Sequence, residues 1–346
     1  MRRKDSLLQK RNLPTVDDVA KSAGVSTATV SRCLNEPQKV SKDTRERVMA
    51  AVEKLHYAPN FGARAIAANR TGTFGAIIPT MENAIFARGI EAFQQELVKN
   101  NATMLVASSA YNPDQETRLI RTMVARGADG MLLIGTDRDP EIYEFLKARN
   151  IPFVIAWAIS NDPTHSYVGF DNRAASRKLV SSAIALGHQK IAYIAAKTAM
   201  NDRARERVAG AIEAIEAAGF DRTVMPIIET DYSIDNGMKA FDTLMQASDR
   251  PSLIVCGNDV LAVGAIQAAQ ARGLSIPSDI SIIGFDDIEL SRVINPVLTT
   301  MHVPHKDMGT NAAKTLLKLV EDPTIPMRIS LDTRIVERDS LASPKQ

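Results

Sequence analysis

Thr27, Ala28, Ser31 and Arg32 are the first side chains in this 346-residue sequence whose types and spacing could do chemistry. They fall on one arc of a helix. A guanidinium can make two hydrogen bonds to guanine, hydroxyls can reach bases or phosphates, and a methyl can touch thymine. Lys39, Ser41 and Thr44 follow close to a loop and are placed to hold phosphates. A second group stands at the ends of apolar runs farther along: Thr80, Asn83 and Phe86, then Asp171 and Asn172, Arg205, Asn258 and Asp259, and Asp286 and Asp287. Carboxylates and amides bond hydroxyls or ring nitrogens in pairs, Arg bonds hydroxyls or a carboxylate, and an aromatic stacks on a ring. That inventory suits a small polar ligand such as a sugar, a sugar acid or a nucleobase. Each Asp could instead cap the helix that follows it.

Catalysis finds less support. The sequence has no dinucleotide-binding glycine motif, no phosphate-binding loop, no zinc-protease motif and no nucleophile elbow. His302 and His305 are three apart, but Pro304 between them discourages a helix that would align them as ligands, and they read as a connection between lobes. Asp286 and Asp287 are adjacent, which does not make a catalytic pair. We expect no enzyme, no cofactor and no metal.

The elements that must position the first group are three short helices. Val16, Val19, Ala20 and Ala23 form one apolar stripe. Thr15 and Asp18 resemble a capping box at its start, and Gly24 ends it. Ser26 caps a second helix, Thr27 to Asn35, in which Val30, Cys33 and Leu34 share the inner face. Ser41 caps a third, striped by Val48, Ala51, Val52 and Leu55. This is the layout of a helix-turn-helix, whose second helix docks in the major groove. A three-helix bundle without a DNA role would show the same stripes. After Pro59, Asn60 can cap a short helix from Phe61 to Ala68. Its two turns are too few to be stable alone, and Gly62 weakens it by roughly 1 kcal/mol.

The second group needs a different frame. Apolar runs at Thr73–Ile78, Thr103–Ala107, Gly130–Ile134, Pro152–Trp157, Tyr167–Phe170, Lys190–Ala195, Ser252–Cys256 and Ile280–Phe285 read as strands. Amphipathic stretches at Phe86–Lys99, Gln115–Arg126, Asn172–Leu186, Arg203–Ala218 and Val260–Arg272 read as helices. Continuous apolar strands separated by helices make parallel sheets covered on both faces. About ten strands suit two Rossmann-like lobes better than one wide sheet. Ligands of such sheets bind beyond the strands' carboxyl ends, where the second group lies.

Charge divides along the same line. The whole chain carries a formal +2, but residues 1–70 hold 14 Lys+Arg against 7 Asp+Glu, leaving the remainder at −5. A basic arm on an acidic body suits nucleic acid for the arm alone. The two cysteines, Cys33 and Cys256, supply no disulfide framework. The longest apolar stretches fall short of the ~18 residues needed to span a bilayer. The basic segment Met1–Asn12 lacks the apolar core of a secretory signal. A cytoplasmic protein is expected.

The wording of the basic module is more specific than its periodicity. Asp18-Val19-Ala20-Lys21-x-Ala23-Gly24-Val25-Ser26-x-x-Thr29-Val30-Ser31-Arg32-x-x-Asn35 closely resembles the N-terminal signature of the lactose-repressor (LacI/GalR) family. The likeness continues through Val40-Ser41-x-x-Thr44-Arg45-x-x-Val48 and Tyr57-x-Pro59-Asn60. In the body, Ala204-Arg205-x-Arg207-x-x-Gly210, Gly257-Asn258-Asp259-x-x-Ala262-x-Gly264 and Gly284-Phe285-Asp286-Asp287 resemble its effector-pocket signatures.

The resemblance implies a helix-turn-helix domain over 14–59 behind a basic arm at 1–13. A hinge at 60–71 and a two-lobed, periplasmic-binding-protein-like effector and dimerisation domain at 72–340 follow. It implies operator contacts from Thr15, Ser26, Thr27, Ala28, Ser31, Arg32, Asn35, Lys39, Ser41 and Thr44, and from Asn60, Ala63 and Ile66 in the hinge. Ile66 stands where the family usually places a Leu wedged into the minor groove. Effector contacts are implied for Asn83, Phe86, Asp171, Arg205, Asn258 and Asp286, with Tyr232 as the packing aromatic. The expected protein is a homodimeric repressor on a pseudo-palindromic operator, its affinity changed by a small polar effector. The six residues after Ser340 are too few for the leucine-heptad helix that makes tetramers of some relatives.

Overall fold

The computed structural model describes residues 13–58, 70–82 and 84–345. The chain divides into two compact units, Met1–Thr71 and Gly72–Gln346.

The first unit holds α1 (Val16–Ala23), α2 (Thr27–Asn35) and α3 (Lys42–Lys54). Each starts where its cap dictates. The Thr15 amide donates to the Asp18 carboxylate at 2.8 Å while the Asp18 amide donates back to Thr15 Oγ1 at 3.3 Å, a reciprocal capping box. Ser26 and Ser41 accept from the amides of Thr29 and Thr44. Such caps are each worth about 1 kcal/mol. Gly24 stops α1 at φ +67°, a conformation a Cβ would strain. Val19, Ala20, Ala23, Val30, Cys33, Val48 and Ala51 make the core, so the apolar stripes meet as their periodicity requires.

The second unit holds two six-stranded sheets. The first lobe runs in the order β11-β5-β4-β3-β1-β2, with β1 Thr73–Ile78, β2 Thr103–Ser108, β3 Gly130–Ile134, β4 Phe153–Ala156, β5 Tyr167–Gly169 and β11 Arg328–Ser330. The second runs β12-β10-β9-β8-β6-β7, with β6 Ile191–Ala196, β7 Ile227–Thr230, β8 Leu253–Cys256, β9 Ser281–Asp286, β10 Thr299–His302 and β12 Arg334–Val336. All pairings are parallel except β10 with β12.

Helices α4 (Ala84–Lys99), α5 (Pro113–Ala125), α6 (Pro140–Ala148), α7 (Asn172–Ala185), α8 (Asp202–Ala217), α9 (Ile234–Leu244), α10 (Asp259–Ala271), α11 (Leu290–Val293) and α12 (His305–Glu321) connect the strands. The strands and helices expected from the apolar runs are present within a residue or two. β7, β10, β11, β12, α6, α9, α11 and α12 are additional.

The chain passes between lobes three times: from β5 into α7, from β10 into α12, and from β11 into β12. α12 returns to the first lobe, packing on α4, β3, β4 and β5. Pro304 sits at its N-cap, so His302 ends a strand and His305 begins a helix, and the pair spans one of these passages. At the passage into α7, the Asn172 amide donates to the Trp157 carbonyl at 2.9 Å. Trp157 Nε1 donates to His305 Nδ1 at 3.1 Å, and burial lowers the His305 pKa to about 3, so the ring is neutral and accepts there.

Candidate functional site

In the first unit, Val30 and Cys33 turn α2 inward and leave Ser26, Thr27, Ala28, Ser31, Arg32 and Asn35 exposed along its outer face. The Asn35 amide leans on Ser31 Oγ at 3.3 Å. Lys39 is exposed and paired with Glu36 at 3.0 Å, and the Ser41 hydroxyl donates to Thr44 Oγ1. Thr15 is occupied by its capping box at the start of α1. These are hydroxyls, an amide and a guanidinium on one helix face held by a small apolar core, the chemistry that reads base edges. Asn60, Ala63 and Ile66 lie outside the described residues.

In the second unit, the carboxyl ends of the two sheets face a cleft of about 710 Å³. Thr80, Ser108 and Tyr111 line it from the first lobe, and Asn201, Thr230, Tyr232 and Val260 from the second. The Tyr111 and Tyr232 rings stand 6.5 Å apart across it. Ala110 and Tyr111 are consecutive non-glycine residues at positive φ, +51° and +56°, a backbone cost that other contacts must hold in place. Burial raises both tyrosine pKa values, so both hydroxyls remain protonated donors.

Next to Tyr232 lies a buried polar cluster. Arg207 is 4% exposed and makes three kinds of hydrogen bond: Nε to Asn172 Oδ1 at 2.9 Å, Nη1 to the Gly257 carbonyl at 2.8 Å, and Nη2 to Asp286 Oδ1 at 3.2 Å. Its guanidinium also lies 3.8 Å from the centre of the Phe285 ring. Asp286 is fully buried at the end of β9, at φ +108°. Burial pushes its pKa up to about 6, against the pull of Arg207. Asn258 uses Oδ1 to cap α10 through the Leu261 amide. Asn258 Nδ2 and Asp286 Oδ2 are buried with no hydrogen-bond partner. One is a donor and the other an acceptor, and orphaned buried polar atoms of this kind carry a desolvation cost of about 1–3 kcal/mol each.

Arg207 joins Asp286 to the Gly257 carbonyl, next to Asn258 in sequence, and Tyr232 feels the charges of both Arg207 and Asp286; of the described residues expected to contact an effector, only Tyr232 lines the cleft itself. It does not bring Asp171 or Arg205 to that cluster. Asp171 is exposed and caps α7 through the Ala174 amide at 2.9 Å, the capping alternative of the sequence reading. Arg205 reaches the first lobe instead, gripping the Asp137 carboxylate with two hydrogen bonds at 2.7 and 2.6 Å. Phe86 is buried edge-on to Trp157 rather than on the cleft wall, and Asn83 lies outside the described residues. Asp259 serves the fold, accepting from Thr300 Oγ1 and the Ile288 amide. Asp287 does likewise, with Arg292, His302 and Arg338 around it.

Arg207 is the residue that the sequence reading passed over. The signal was available: Arg207 and Gly210 are three apart, hence on one helix face. Gly210 is where α8 touches α7, since a Cβ there would lie 2.1 Å from the Arg173 carbonyl. Arg205, two positions earlier, points to the opposite side. Tyr111 and Asn201 had no comparable signal. Among the described residues no group of three or more His, Cys, Asp or Glu could hold a metal, and no helix is long and apolar enough to cross a membrane.

Residues 15–60 match the family model described as bacterial regulatory proteins, lacI family, and residues 180–341 match the periplasmic binding protein-like domain. Catabolite control protein A of Priestia megaterium is 33% identical over 327 residues, 94% of this chain and 98% of that one. The structure of the lac repressor dimer bound to operator and an anti-inducer superposes with a TM-score of 0.84 at 26% identity, covering 95% of this chain and 99% of that one. The complex of the transcriptional regulator CelR with cellobiose gives 0.70 at 28% identity over 94% and 99%. With an exposed recognition helix on one unit and a two-lobed cleft in the other, this chain belongs to the LacI family, as a DNA-binding transcriptional regulator with an effector-binding domain.

Proposed function

We propose that the protein is a cytoplasmic, homodimeric repressor that binds a pseudo-palindromic operator and is regulated by a small polar effector held between its lobes. Residues 1–13 are a basic arm, 14–59 the DNA-reading domain, 60–71 the hinge, and 72–340 the effector and dimerisation domain. α2 places Thr27 and Ala28 against base edges, with Ser31, Arg32 and Asn35 behind them, while Lys39, Ser41 and Thr44 hold the backbone. Asn60, Ala63 and Ile66 contribute from the hinge. Two-fold symmetry of the dimer matches two-fold symmetry of the site.

The observation that carries the effector reading is the pair of orphaned atoms, Asn258 Nδ2 and Asp286 Oδ2. A ligand hydroxyl, or a ring carrying an N–H beside a separate acceptor, that donates to Asp286 Oδ2 and accepts from Asn258 Nδ2 removes two desolvation costs at once. Arg207 keeps Asp286 in place, and Tyr232 supplies an apolar face. The effector regulates only through a difference in affinity between lobe arrangements. Sugars, sugar acids and nucleobases titrated against protein bound to a selected operator duplex test this. At least one class should release or tighten the complex, and Asn258→Leu should abolish that response while leaving operator affinity intact. An undiminished response in the variant would remove Asn258 from the site.

A further inference from the structure

Resting on the reading of the cleft as the effector site, we propose that Gly135–Asp137 of the first lobe and Asp202–Arg205 of the second form a clasp whose opening sets the lobe equilibrium that the effector biases. Arg205 is a positioning residue of this clasp.

The first jaw is braced from behind. Arg138, buried, donates to the carbonyls of Ile134 and Gly135 at 3.1 and 2.7 Å, to Tyr143 Oη at 2.7 Å and to Glu116 at 3.1 Å. The loop after β3 is thereby fixed with its other edge toward α8. The second jaw is the first turn of α8, where Asn201 caps the helix and Asp202 is 4% exposed. Asp202 takes the Arg203 guanidinium on Oδ1 at 2.7 Å. On Oδ2 it takes both the amide and the hydroxyl of Thr136, at 2.6 and 2.8 Å. Burial opposes the Asp202 charge, but Arg203 and Thr136 prevail and its pKa is lowered, so the carboxylate stays ionised.

Asp137 and Arg205 complete the grip with their two-bonded pair, which is partly exposed at 21% and 46%. Gly135 permits the approach. Its φ is +74°, and a Cβ there would lie 1.9 Å from Arg203 Nη1 and 2.4 Å from Asp202 Oδ1. Three consecutive residues of one lobe thus meet the opening turn of one helix of the other. The bonds are charge-assisted and directional, which makes them all-or-none in lobe separation.

The Thr136 amide reports the state of the clasp, because its acceptor lies on the other lobe. Hydrogen exchange of the full-length protein, without ligand, reads it. Loss of a partly exposed pair of this kind should raise the Thr136 exchange rate roughly fivefold in Arg205→Ala, while the β3 amides keep theirs. The charge-swapped double variant Asp137→Arg, Arg205→Asp should return the rate to within about twofold of the parent. In fixed salt, Arg205→Ala should also change affinity for an operator duplex selected from a randomised library, by about threefold or more in either direction. An unchanged Thr136 rate, an equal rise in β3, a swap that fails to restore, or an operator affinity that stays put while Thr136 exchange rises would each overturn the clasp. Failure of every candidate effector to act on operator-bound protein bears on the effector reading and leaves these exchange rates untouched.

Discussion

Replacing Asp286 by Asn should stabilise the effector domain near neutral pH while removing its ligand response. Asp286 is fully buried, has one oxygen without a partner, and sits at φ +108°. Burial holds its pKa at about 6 rather than 3.8, even though Arg207 and Arg203 pull it down. A gap of about two units corresponds to about 3 kcal/mol. An acid whose pKa rises on folding binds more protons in the folded state between the two values. Stability is therefore full below about pH 4 and falls as pH climbs through about 6. Asn keeps the shape and the acceptor for Arg207 Nη2 but never ionises. It exchanges an orphaned oxygen for an orphaned amide, which returns part of the gain, so about 1–2 kcal/mol is expected at pH 7.5. Urea unfolding at pH 4.5, 6.0 and 7.5, followed through the effector-domain transition, checks this. Groups away from Asp286 cancel in the difference between the two proteins, while Asp259, raised in part by the Asp286 charge, adds to it in the same direction. A difference that does not grow from pH 4.5 to 7.5, or that reverses, would refute the reasoning. Asp286 would then be a structural residue and not one kept at a cost for binding.

Two further outcomes are expected on DNA. Substituting Thr27 or Ala28 should change which base pairs are preferred in a randomised site library, since both are exposed at the start of α2; an unchanged preference would mean that α2 docks otherwise. Ile66→Ala should weaken binding to the selected operator by about tenfold, on the scale of 1–3 kcal/mol per lost base-step contact, and binding to random DNA much less. Equal losses on both, in the same salt, would remove the wedge.

Much of this architecture was legible in the residues. The three helices of the first unit followed from apolar stripes and caps because both are local. Eight strands followed from continuous apolar runs because parallel strands are buried on both faces. β7 escaped because it lies at a sheet edge and alternates exposed and half-buried residues over Ile227–Thr230. β11 and β12 are three-residue strands that exist only through their pairing partners. α12 was obscured by Pro304, which marks its start.

Asn258 and Asp286 stood out as polar residues at strand ends, and both are fully buried there. Arg205 and Arg207 were not separable in the sequence, because neighbouring arginines differ by helix face: Arg205 reaches Asp137, whereas Arg207 turns inward with Gly210 toward Asn172 and Asp286. Asp171 was found at a strand end, but that position serves a helix cap as readily as a ligand.

The third passage between the lobes bears on how the protein is made. β11 closes the first sheet by pairing Arg328–Ser330 with Tyr167–Gly169, and β12 closes the second only afterwards. Neither sheet can be completed until Arg328–Ser330 and Arg334–Val336 have left the ribosome. The three-helix unit consists of local contacts and is synthesised first. At ordinary elongation rates it precedes the last strands by tens of seconds. During that interval a nascent chain carries a finished recognition helix and an unfinished sensor, with the edges of β5 and β10 open to pairing. Substitutions that slow the final strands should therefore lower yield through aggregation long before they disturb the recognition of base pairs.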